Sequence, residues 1–126
     1  MNPQGRQAQI GKAMLEKAII SMDLDPYSWR TSLLLAKAYW YLQDSEHAYQ
    51  VLKKALETSP MNQTILNNIG VYALRAGYPN RAIEYWSRAI VNHSDKNYVE
   101  RIKYSIDQIK RGIEAQRNGY NANLPR

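Results

Sequence analysis

The side chains best placed to do chemistry in this 126-residue chain are cations and aromatic rings: Arg30, Lys37 and Arg75, with Trp40 and Tyr41. Guanidinium and ammonium groups give charge-assisted hydrogen bonds to carboxylates, and indole and phenol rings give contact area with a polar tip. That combination suits recognition of an acidic segment with an apolar anchor, not bond-breaking. His47 and His93 are the only histidines, no paired carboxylate accompanies either at ligand spacing, and there is no cysteine. Both read as ordinary surface or turn histidines. No nucleophile elbow, phosphate-cradling glycine loop or dinucleotide fingerprint occurs, so the chain is expected to be non-enzymatic, with no cofactor and no metal.

The elements that must position these residues come from an internal repeat. The stretch Asn62 to Ile90 reads as helix, tight turn, helix, and a shift of 34 places upstream finds the same skeleton. Ile69 falls on Leu35, Gly70 on Ala36, Ala82 on Ala48, Trp86 on Leu52, Ala89 on Ala55 and Ile90 on Leu56. Small and large residues keep their places, and a fixed period of that length means a stacked helical array. A first helix is expected over residues 3 to 23, with Met14, Leu15, Ala18, Ile19 and Met22 on one face. Asp25-Pro26 stops it, since proline disfavours helix in the residue before it. Ser28 is the expected N-cap of a helix to about Leu42 and Asn62 of a helix to about Ala76, while Gly77 supplies a left-handed stop and Pro79 a first turn. Paired helices run to about Thr58 and Asn92. From Lys96 to about Arg117 a longer helix carries Val99, Ile102, Ile106, Ile109 and Ile113 three and four apart, and residues 118 to 126 are expected to fray.

At 126 residues, 44% of them hydrophobic and 22% charged, the chain fits a single globular domain over 1–126. No secretory h-region or run of 18 apolar residues occurs, so a soluble cytoplasmic or periplasmic protein with no membrane span is expected. The net charge of +6 sits mainly in residues 63 to 126, which hold 10 basic against 5 acidic side chains. That excess favours acidic partners. On the last helix Lys96, Lys103, Lys110 and Arg117 alternate with Glu100, Asp107 and Glu114, which cancels most of the field locally. Nucleic-acid binding is therefore disfavoured against a solvated capping face.

The repeated units resemble tetratricopeptide repeats (TPRs), with boundaries at 29–62 and 63–96. The family's L-G-x-A-Y is similar to Leu35-Ala36-Lys37-Ala38-Tyr39 and Ile69-Gly70-Val71-Tyr72-Ala73. Its A-x-x-x-F-x-x-A-L is matched by Ala48, Leu52, Ala55, Leu56 and by Ala82, Trp86, Ala89, Ile90. The corner proline is met by Pro60 and missing at Ser94, and the family's helix A tryptophan is replaced by Ser32 and Leu66. The resemblance implies an all-α, right-handed superhelix (an α-solenoid) of two full repeats, flanked by an N-terminal half-repeat helix and a capping helix at 96–117. It implies a protein-interaction scaffold or adaptor whose first helices line a concave groove, an accessory in complex assembly. Cytoplasmic adaptors and bacterial envelope factors for pilus, secretion or cytochrome maturation systems share such repeats, and no residue here separates them.

If Leu35, Ala36 and Tyr39 face the sister helix, helical spacing turns Arg30, Leu33, Lys37, Trp40 and Tyr41 toward the groove, with Thr64, Asn67, Val71, Leu74 and Arg75 as their echoes. The packing positions agree between repeats while these diverge, as expected of a shared scaffold with a site-specific surface. The competing reading has Trp40 and Tyr41 simply packing against neighbouring helices. The clamp that some family members use for a C-terminal carboxylate places its cations and amides at Leu33, Lys37, Asn68, Tyr98 and Ile102, and only Asn68 matches. The N-terminal helix resembles a second helix without its partner, so apolar surface around Ile10, Met14 and Ile20 is expected to invite self-association.

Overall fold

The computed structural model describes residues 3–122, with the side chains of 5–119. Among them are six α-helices and no strand: α1 (Pro3–Leu24), α2 (Trp29–Tyr41), α3 (Ser45–Thr58), α4 (Gln63–Arg75), α5 (Pro79–Ala89) and α6 (Lys96–Ala122). Each helix packs on the next in sequence, and α2 also meets α4. None is long and apolar enough to cross a membrane.

Local chemistry sets the boundaries. Ser28 accepts from the Arg30 N–H and Asn62 from the Ile65 N–H, which starts α2 and α4 at the expected caps. Asp44 starts α3 by accepting from the His47 N–H. The turns after α2 and α4 share one geometry. Gln43 N–H donates to Trp40 O and Asp44 N–H to Tyr39 O; one repeat on, Gly77 N–H donates to Leu74 O and Tyr78 N–H to Ala73 O. This pattern closes a helix through a left-handed residue, here Gln43 (φ 61°) and Gly77 (φ 96°). Pro79 then opens α5 at a position whose N–H has no helical partner to lose.

The core lies where α2, α3, α4 and α5 meet. Leu52, Ile65, Leu66 and Ile69 are fully buried, and Ala36, Ala48, Ala73, Ala82 and Ala89 let the helices approach closely. The closest approach is at Gly70. A Cβ there would stand 2.1 Å from the Trp86 Nε1, whose N–H donates to the Asn67 carbonyl at 3.3 Å. On the outer side Tyr49 contacts Tyr85, hydroxyl to hydroxyl at 3.3 Å, and stacks at a tilt on Tyr78, whose hydroxyl donates to Glu46. Burial and the bond to Tyr49 hold the Tyr85 phenol above its ordinary range.

Four expectations change. On α1 only Ala18 of the expected face is buried; Met14 and Leu15 are half-buried, and Ile19 and Met22 are exposed. The reason is that α1 rests on α2 alone, through the small residues Gly11 and Ala18, and a Cβ at Gly11 would meet the Leu42 side chain at 2.7 Å and the Ala38 carbonyl at 3.2 Å. The helix expected to run to Asn92 ends at Ala89, and Asn92 takes φ 57° in the turn that follows. Residues 118–122 of the expected frayed tail continue α6, and 123–126 lie outside the described residues. Of the isoleucine stripe on α6 only Ile106 is buried. α6 packs on α5, whose 11 residues span about 16 Å against about 40 Å for 27, so the cover is partial and Val99, Ile102, Ile109 and Ile113 are half-buried.

Candidate functional site

The positions expected on the groove face come from α2 and α4, neighbours in the array, and the structure divides them. At the C-terminal ends of the two helices, Trp40 packs on Tyr72 with ring centroids 5.0 Å apart, and the Arg75 guanidinium lies over the Trp40 ring at 5.8 Å. Trp40, Tyr41 and Arg75 line one hollow of about 600 Å³ together with Gln7 of α1, Gln43 of the turn and Ser45 of α3. Tyr72 beneath is buried, and its phenol is pushed up to about 12 by that burial, with a smaller contribution from Tyr41.

At the other end Thr64, Asn67 and Asn68 line a second hollow of about 250 Å³ with Gln63, His93 and Tyr98. Its walls are tied together. Tyr98 O–H donates to Asn67 Oδ1 at 2.9 Å, His93 stacks on Tyr98 at 4.5 Å, and His93 Nδ1 accepts from the Asp95 N–H. Burial raises the Tyr98 phenol above its ordinary value, and Arg101 lowers it in part. Asn68 donates its amide to the Thr64 carbonyl within its own helix at 2.8 Å, so that side chain is engaged locally.

The remaining residues line neither hollow. Leu33 is half-buried against the core, as is Trp40, so part of what spacing assigns to the groove is packing. The Arg30 guanidinium lies over its neighbour Trp29 at 4.5 Å. Val71 and Leu74 of α4 are exposed, and Lys37 is half-exposed. The ion pairs among the described residues are Asp44–His47, Arg81–Glu84, Arg88–Glu84, Lys103–Glu100 and Arg111–Asp107. Lys37 and Arg75 take part in none.

Sequence reasoning missed Gln7, Gln43, Ser45 and Tyr98. A signal existed for two of them: the 34-residue period carries Arg30 through Thr64 to Tyr98, and Gly77 back to Gln43. His47 binds the Asp44 carboxylate through Nδ1 and stacks on Tyr39 at 5.2 Å. Among the described residues no three of His, Cys, Asp and Glu converge as a metal site would require. On α6 the pairs Glu100–Lys103 and Asp107–Arg111 tie acids to bases along the charged face. Comparison of the chain with protein-family models gives no match, and comparison with curated proteins gives none either.

Proposed function

We propose that the chain is a non-catalytic interaction scaffold of the tetratricopeptide type, a short right-handed superhelix that holds a partner peptide or helix along α2 and α4. The observation that carries this reading is the composition of the α2–α4 face. Tyr41, which lines a hollow with Trp40, and Val71 and Leu74 of α4 are exposed, and Lys37 and Arg75 have no ionic partner among the described residues. Apolar contact area beside unpaired cations fits an acidic segment with an apolar anchor. The equal turns after α2 and α4 and the small-to-large packing repeated at 34 residues support the superhelix.

The test is affinity capture from the source cell with wild type and a Lys37→Glu, Arg75→Glu variant in parallel. Helicity and melting should stay nearly unchanged, because Arg75 is exposed and Lys37 half-exposed, and single charges at such positions contribute little to stability. Partners should be lost with the variant, since removing one side of a charge-assisted interface contact typically costs about 2 to 5 kcal/mol. Identical partners in equal amounts would exclude this face.

A specific observation adds self-association to the reading. Ile10, Ile20 and Leu24 share the outer face of α1 and are all exposed, Leu24 at 82%. The positions one repeat on hold Asp44, Lys54 and Thr58, so α1 is apolar where α3 is polar.

A further inference from the structure

The 600 Å³ hollow at the ends of α2 and α4 differs from the rest of the face in what it offers a ligand. Its described lining residues, Arg75, Gln7, Gln43, Ser45, Tyr41 and Trp40, all carry N–H or O–H donors, and none of them is a carboxylate. Arg75 is the one cation among its described lining residues, and among the described residues it makes no hydrogen bond or ion pair. It lies over the Trp40 face, and no described residue meets the in-plane donors of the guanidinium.

Gln43 is the second observation. It sits at φ 61°, a left-handed conformation that a residue with a Cβ adopts only under strain. One repeat later the same turn, closed by the same two hydrogen bonds, uses Gly77, which has no such strain. Glutamine at 43 is thus conformationally the worse choice. What it adds is an amide at the hollow's edge.

We propose that this hollow is the specificity pocket for a carboxylate of the partner segment, with Arg75 binding both oxygens and Gln43 held at a strained position to complete the donor set. The proposal rests on the reading of α2 and α4 as the partner-binding face. A single guanidinium matches one carboxylate in fork geometry, whereas the second charge of a phosphate would find no further cation among the lining residues. Trp40 and Tyr41 wall the space beside Arg75, and the volume leaves room for the apolar neighbour of the acidic residue.

The probe is a random decapeptide display library selected on the full chain. Selected peptides should share an Asp or Glu at one position. A synthetic consensus peptide should bind at least about tenfold more tightly than its Glu→Gln derivative, as loss of a charge-assisted bond dictates, and no less tightly than its Glu→phosphoserine derivative, whose second charge meets no further cation. Gln43→Gly and Arg75→Gln should each erase that preference, and Gln43→Gly should melt no lower than wild type. That last readout separates a ligand-binding glutamine from a structural one. Binders without acidic enrichment, tighter binding of the phosphoserine peptide, or a Gln43→Gly protein with full discrimination would overturn the pocket and leave the groove standing. Failure to select any binder would overturn both.

Discussion

At the scale of single residues, the packing between repeats obeys an exchange of volume. The first repeat sets Ala36 in the place of Gly70 and Leu52 in the place of Trp86, so the larger knob faces the smaller hole. Gly70→Ala should cost about 1–3 kcal/mol in chemical denaturation, because the added methyl meets an indole held by its bond to the Asn67 carbonyl. Adding Trp86→Leu restores the combination the first repeat uses, and part of that loss should return as a favourable coupling in the double variant. Tyr72 gives a pH prediction. Its folded value of about 12 lies above the unfolded value near 10, so its contribution to stability is present below pH 10 and is lost as pH rises toward 12. Melting followed from pH 9 to 12 should fall less steeply for Tyr72→Phe than for wild type; equal slopes would place the alkaline loss elsewhere. The small-to-large alternation was legible in the sequence because volume is a property of residue type. The strain at Gln43 was not, because glutamine carries no turn signal and only comparison with Gly77 exposes it.

At the scale of elements, caps were legible and faces were not. Ser28, Asn62, Gly77 and Pro79 announce themselves by chemistry and sit where that chemistry places them. α1 carries apolar residues around much of its circumference, so periodicity alone could not tell that only the Gly11 and Ala18 side is covered. The end of α6 was missed because a polar stretch without a proline does not stop a helix, and its charged residues pair along the exposed surface. Truncation after Asp95 tests what α6 contributes. It would uncover the face of α5 on which α6 packs, where the half-buried Ile83 borders one hollow with Ile113 of α6. Each large side chain returned to water costs up to about 1.5–3 kcal/mol, so the truncated chain should melt well below wild type. A monomeric truncate with unchanged melting would show that α6 does not stabilise the array.

At the scale of the whole molecule, an array of nearest-neighbour contacts has two ends, and they differ in character. The free surface of α6 is charged in alternation, with Glu100 paired to Lys103 and Asp107 to Arg111, and such a face is at home in water. The free surface of α1 is not. Ile10, Ile20 and Leu24 stand on one side of it, and water contact along that stripe favours burial against a second copy. Sedimentation over a wide concentration range should therefore show a weight-average mass that rises with concentration. As the control, Ile20→Lys with Leu24→Thr gives α1 the residues that α3 carries at Lys54 and Thr58. Because both side chains are exposed in the single chain, melting at low concentration should change by no more than about 0.5 kcal/mol equivalent, while the association disappears. A wild type that sediments as a monomer throughout, or a variant that associates as the wild type does, would remove α1 as a self-association surface and leave the face of α2 and α4 as the one proposed.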